Sequence, residues 1–154
     1  NDRLDFHAIC YGRLDTVSNV QFMVRARCIF SFYPYSSLQI DLTQKHLQPF
    51  GSVHGGVFSS IIDAAAFWAV YPGIEDPAAG MTTVDLKLNY LAPATSGKLI
   101  ARGRQIKVGR TLGYAEAQVV NQDEKILAHG TSTVIILPGK AIEGDPPLPP
   151  KFIE

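Results

Sequence analysis

Very little in this sequence of 154 residues could tie it together covalently. Its two cysteines, Cys10 and Cys28, are too few for a disulfide framework and lack CxxC or Cys/His ligand spacing, so both read as reduced core residues. Charge of one sign is also missing. Fourteen Lys and Arg balance fourteen Asp and Glu, which leaves no positive field to hold a nucleic acid backbone or an anionic membrane; neither is an expected partner. The longest apolar stretch, residues 57 to 71, is too short for a hydrocarbon core of about 30 Å and contains Asp63, so it reads as a buried helix. Residues 1 to 6 hold two Asp and no apolar run, unlike a signal peptide, and the expected compartment is the cytoplasm. There is no Gly-x-Ser-x-Gly elbow, P-loop or dinucleotide glycine fingerprint, and Ser59 and Ser60 lack an evident triad. His7, His46, His54 and His129 are scattered without ligand spacing, so neither a metal nor a resident cofactor is expected.

With 46% hydrophobic and 18% charged residues, the chain has the composition of one globular domain. Leu38, Ile40 and Leu42 alternate with Gln39 and Asp41, the period of a half-buried strand, and the aromatic residues 29 to 33 are a second candidate. His54, Gly55 and Gly56 open the apolar helix; Tyr71, Pro72 and Gly73 close it. Val84, Leu86, Leu88 and Tyr90 form the clearest alternating set. Residues 99 to 108, 112 to 120 and 126 to 137 then read as an antiparallel meander. The last of these carries Ala128, Gly130 and Ser132 on one face, small enough for a helix to lie close. These patterns divide the chain into an N-terminal extension (1–37), a central domain (38–137) and a tail (138–154) holding five of the ten prolines. A helix apolar on all sides needs covering all round, which one curved sheet would do; the sheet's edges would then be covered by a second copy.

Asp63 is the informative residue. An ionisable side chain inside such a helix costs several kcal/mol unless it is paired or put to use. Two readings fit: a buried carboxylate pairing with a neighbouring element, or a catalytic one. Gly55 and Gly56 stand where the helix leaves N–H groups unpaired and its dipole favours negative charge; they make either a tight turn or a site that stabilises an oxyanion. Eight residues separate Gly55 from Asp63, about 12 Å along a helix, so the two cannot touch one carbonyl carbon. If both act, they come from two chains with antiparallel helices.

His54-Gly55-Gly56 followed by Asp63, then Thr83-Val84-Asp85 and Tyr90-Leu91-Ala92-Pro93, resembles the phenylacetate-pathway (PaaI-like) branch of the hotdog-fold acyl-CoA thioesterases. The resemblance covers roughly residues 38 to 137. It implies an α+β hotdog fold, a curved antiparallel sheet wrapped around one long central helix. It also implies a homodimer or a dimer of dimers, and hydrolysis of an acyl-CoA, with CoA entering only as part of the substrate. Asp63 matches the family's general base or nucleophile, and Gly55 the residue whose N–H binds the thioester oxygen. Gln48 stands where relatives place an amide that holds the water or the carboxylate, and Thr83 where they place a hydroxyl near the reacting centre. His54 belongs to the motif, either at the reacting centre or as a structural hydrogen bond of the loop. Gly56 allows close approach of the ligand.

Arg102, Arg104, Lys107 and Arg110 cluster near Gly109 and either hold the CoA phosphates or line a solvated strand edge. Val108, Gly109, Arg110 and Thr111 are the expected nucleotide contact. Two other functions stay open: a hotdog dehydratase or hydratase, for which no second histidine motif is present, and a non-catalytic acyl-CoA-binding or assembly module.

Overall fold

The computed structural model describes residues 26 to 142. In chain order the elements are β1 (Arg27–Phe32), β2 (Tyr35–Asp41), α1 (Gly55–Val70), β3 (Gly80–Tyr90), β4 (Lys98–Val108), β5 (Leu112–Val120) and β6 (Ile126–Leu137). The strands form one six-stranded sheet in the order β1-β2-β4-β5-β6-β3, antiparallel throughout. The expected meander is β4-β5-β6, while β3 crosses over to pair with β6 and forms an edge. α1 lies on the inner face, mainly against β4, β5 and β2.

The sheet begins at Arg27 rather than at Leu38, because part of the segment read as an extension supplies β1 and the start of β2. Two inward positions there are hydroxyls instead of hydrocarbons, which interrupts the apolar alternation. Ser31 and Ser36 are both 1% exposed, and their Oγ atoms donate to the helix carbonyls of Trp68 (2.7 Å) and Ala65 (2.6 Å). Each buried hydroxyl thus has a partner, and the two bonds clamp α1 to the sheet. Residues 1 to 25 and 143 to 154, with Cys10, His7 and most of the proline-rich tail, lie outside the described residues.

Small residues let the helix sit close. Ala101 and Gly103 of β4, Gly113, Ala115 and Ala117 of β5, and Ala128, Gly130 and Ser132 of β6 all face inward and are buried. A Cβ on Gly130 would meet Ile62 at 2.9 Å, one on Gly113 would meet Val70 at 2.5 Å, and one on Gly103 would collide with the carbonyl of Ala65. The small set seen in the last strand therefore extends across three strands.

The sheet wraps around the helix as expected, but among the described residues one stripe of the helix is left partly open. Gly56, Ser59, Ser60, Asp63, Ala64 and Phe67, spaced to fall on one face, are only half-buried. The sheet covers α1 mainly from the β2-β4-β5 side, and among the described residues no strand lies beyond β3.

The outer face carries cross-strand ion pairs. Arg104 donates to Glu116 from Nε (2.9 Å) and from its terminal nitrogen (2.7 Å). Its hydrogen bond holds the Glu116 carboxyl below the usual carboxylate range. Since the folded value is the lower one, this pair stabilises the fold at neutral pH and loses its effect as pH falls through that lowered value. Glu116→Gln is expected to cost less than about 1 kcal/mol at neutral pH, as for most exposed pairs. In strong acid the urea midpoints of the two proteins should coincide. Gly103→Val, which drives a side chain into the helix backbone, is expected to cost about 1–3 kcal/mol by the same measurement.

Candidate functional site

The Asp63 carboxylate is held from the sheet side. Thr83 Oγ1 donates to its Oδ1 at 2.8 Å, and Ser132 Oγ stands 3.4 Å from the same oxygen. A β-bulge brings Thr83 there. The pairing of β3 with β6 runs in step from Gly80 to Thr83, slips, and resumes at Asp85. Without the slip, Val84 would share a face with Leu86 and Leu88, as the alternation in the sequence implied, and Thr83 would point outward. The extra residue reverses the parity: Val84 is 56% exposed, whereas Met81 and Thr83 now share the inner side with Leu86 and Leu88.

His54 is the N-cap of α1, in extended conformation, and its Nδ1 accepts the Gly56 N–H at 2.9 Å. The Val57 N–H bonds the His54 carbonyl at 2.9 Å. Of the N–H groups opening the helix, Gly55's is taken by no acceptor among the described residues. Beside it lies a groove of about 360 Å³ lined by Val53, Phe58, Tyr90, Leu91, Ala92 and Pro93. The Tyr90 hydroxyl is 3.4 Å from the Gly55 carbonyl, and its ring stands edge-on to Phe58, with centroids 6.1 Å apart.

Gln48 is engaged within its own loop. Its Nε2 donates to Ser52 Oγ (2.7 Å) and its Oε1 accepts the Phe50 N–H (3.0 Å). The hairpin of Val108, Gly109, Arg110 and Thr111 sits at the opposite end of α1 from Gly55. There Val108, Gly109 and Arg110 line a second groove, of about 580 Å³, with Gly73, Ile74, Glu75 and Asp76. The arginines expected beside them are committed elsewhere: Arg104 to Glu116, and Arg102 to both oxygens of Glu124, at 2.5 and 2.7 Å. The bond to Glu124 raises the pKa of Arg102 further.

One chain therefore brings Asp63 and Thr83 together, and groups His54, Gly55 and Gly56 one helical stretch away; the loop of Gln48 flanks the second group, through the His54 N–H bond to the His46 carbonyl and the bridge between Leu47 and Val53, and the hairpin lies at the other end of the helix. Ser132 is the carboxylate's neighbour that sequence reasoning passed over. It lay in the small inward set, where only its size had been read. No helix among the described residues is long and apolar enough to cross a membrane.

Comparison with known proteins adds an independent line. A protein of Halobacterium salinarum, whose name assigns it provisionally to the esterases, is 40% identical over 86 residues, 55% of this chain and 56% of that protein. The chain thus spans little more than half the length of that relative. The 1,4-dihydroxy-2-naphthoyl-CoA hydrolase of Listeria monocytogenes is 28% identical over 99 residues, 64% of this chain and 80% of that enzyme. In three dimensions the E. coli PaaI protein from the phenylacetic acid degradation operon superposes with a TM-score of 0.72 at 19% identity, over 80% of this chain and 88% of that one. That likeness carries the hotdog fold: a curved antiparallel sheet around one central helix. Residues 50–128, half of the chain, match the Thioesterase superfamily, and the chain belongs to that family.

Proposed function

We propose that this chain hydrolyses an acyl-CoA thioester to the free acid and CoA, in a site completed by a second copy of itself. The observation that carries this reading is the Asp63 carboxylate, held by Thr83 at 2.8 Å on a face of α1 that the described residues leave half-covered. Such a carboxylate suits general-base or nucleophilic work better than a structural ion pair, since it has hydroxyl partners and no cationic one among the described residues.

In the first route Asp63 takes a proton from a water whose oxygen attacks the thioester carbonyl carbon. The Gly55 N–H of the other copy receives the oxyanion, the C–S bond breaks, and the thiolate leaves and is protonated. In the second route the carboxylate itself attacks the carbonyl carbon, the C–S bond breaks and the thiolate leaves and is protonated; water then hydrolyses the mixed anhydride, which releases the acid and restores the carboxylate. Gln48, His54 and Thr83 support the reacting groups, with His54 acting through the helix cap. The apolar groove beside Gly55 receives an apolar arm of the substrate. Val108, Gly109, Arg110 and Thr111 receive the nucleotide, with Arg110 as its cation, and Gly56 allows the close approach.

Two features support a second copy. Among the described residues β3 is an edge strand of 11 residues, and Asp63 on the half-covered stripe of α1 bonds its Thr83. About 12 Å of helix between Gly55 and Asp63 keeps them from serving one carbonyl within a chain. Two-fold pairing with antiparallel helices brings each Gly55 to the other chain's Asp63.

Release of free thiol from a panel of aryl and fatty acyl-CoAs tests the chemistry. Asp63→Asn is expected to lower kcat by about two to four orders of magnitude and to leave acyl-CoA binding within a few-fold. Equal turnover would overturn the assignment, and binding without hydrolysis in the wild type would favour an acyl-CoA-binding module. The shared site has its own test. Gly55→Val, whose side chain would press on Tyr90, and Asp63→Asn are each expected to be inactive alone. Co-expressed, they should recover roughly a quarter of wild-type activity, because one site of each mixed dimer is intact.

A further inference from the structure

We infer that Ser132 is a positioning residue for Asp63: together with Thr83 it engages one carboxylate oxygen, Oδ1, and so leaves the other, Oδ2, to do the chemistry. The inference rests on the hydrolytic reading above and extends it to a residue outside the family motif. Ser132 is 1% exposed on the inner face of β6, where a hydroxyl without a partner is costly. Its register partners are Ala115 on β5 and Leu86 on β3, neither of which offers a side-chain acceptor. Among the described residues the only side-chain partner of its Oγ is Asp63 Oδ1, at 3.4 Å. Packing alone would be served by alanine, as at Ala115 and Ala128, so the hydroxyl is what needs explaining.

The geometry gives that hydroxyl a use. Thr83 approaches from the edge strand β3 and Ser132 from its neighbour β6, so two donors on different strands converge on the same oxygen. One bond would leave the carboxylate free to swing about it; two fix the plane of the group. No described residue bonds Oδ2, which is therefore the oxygen that takes the water's proton or attacks the carbonyl. At 3.4 Å the Ser132 contact is longer than the usual 2.5–3.0 Å of an O–H···O bond, as catalytic hydrogen bonds often are before the substrate closes the site. Since Ser132 is buried beneath Asp63 and acts through it, its loss should be felt in kcat and not in KM.

The experiment compares wild type, Ser132→Ala and Ser132→Cys as full chains, measuring steady-state thiol release from the best acyl-CoA together with thermal midpoints. Ser132→Ala is expected to lower kcat by about tenfold to a hundredfold, with KM within about twofold and an unchanged midpoint. Ser132→Cys keeps the side chain's shape but donates weakly, so it should lose kcat too, which guards against an alanine variant that merely destabilises the fold. Unchanged kcat in either variant, or a loss that appears in KM, overturns the positioning role while leaving the hydrolytic reading intact. A wild type inert towards every acyl-CoA overturns the hydrolytic reading itself, and the role of Ser132 with it.

Discussion

Seating an apolar helix directly on a sheet is the constraint from which the rest of this structure follows. Eight inner positions of β4, β5 and β6 are cut down to Gly, Ala and Ser, and two buried serines on β1 and β2 bond to helix carbonyls. With so little side-chain volume at those positions, helix and sheet have one tight relative position, and Ile61, Ile62 and Trp68 of the helix pack in a core shared with Leu38, Ile40 and Leu99 of the sheet. That fixed seat sets which helical residues are covered and which are not. Asp63 falls on the uncovered stripe, within reach of hydroxyls from the sheet yet still open on its other side.

The bulge at Val84 acts on the same place from the strand. It shifts the parity of β3 at the point where the strand passes Asp63, so that a hydroxyl instead of a hydrocarbon meets the carboxylate. It also turns an apolar side chain outward on the sheet's edge strand. Local irregularity and the candidate carboxylate thus coincide, and bulges are common next to active sites.

Much of the fold was legible in the sequence, for physical reasons that differ from element to element. Helix α1 and strands β4 to β6 announce themselves because their burial is hydrophobic and periodic. The aromatic run at 29 to 33 marked β1 only by composition, and the opening of β2 gave no apolar alternation, because the inward positions Ser31 and Ser36 are buried through hydrogen bonds to the helix. The alternation of β3 was read correctly from Leu86 onward and misjudged at Val84, since a one-residue slip leaves no compositional trace. In the candidate site, the motif pointed to Asp63, Gly55, His54 and Thr83. Ser132 stayed hidden because a serine in a row of small residues carries no signal until its distance to the carboxylate is known. The arginines near Gly109 illustrate the converse: a cluster in sequence gives no sign that Glu116 and Glu124, from other parts of the chain, neutralise two of its members.

The cap made by His54 has a consequence for selectivity. Helix N-termini that hold phosphates present several N–H groups at once. Here the Gly56 N–H is turned back to the imidazole and the Val57 N–H to the His54 carbonyl, which leaves the N–H of Gly55 alone at the mouth of the groove. A lone donor grips a resident polyanion poorly, so phosphate and the nucleotide end of a ligand gain little by settling there. Under the proposed hydrolysis it suits a single oxygen whose charge exists only while a bond is being remade, and so would favour the fleeting species over any stable anion that visits the site.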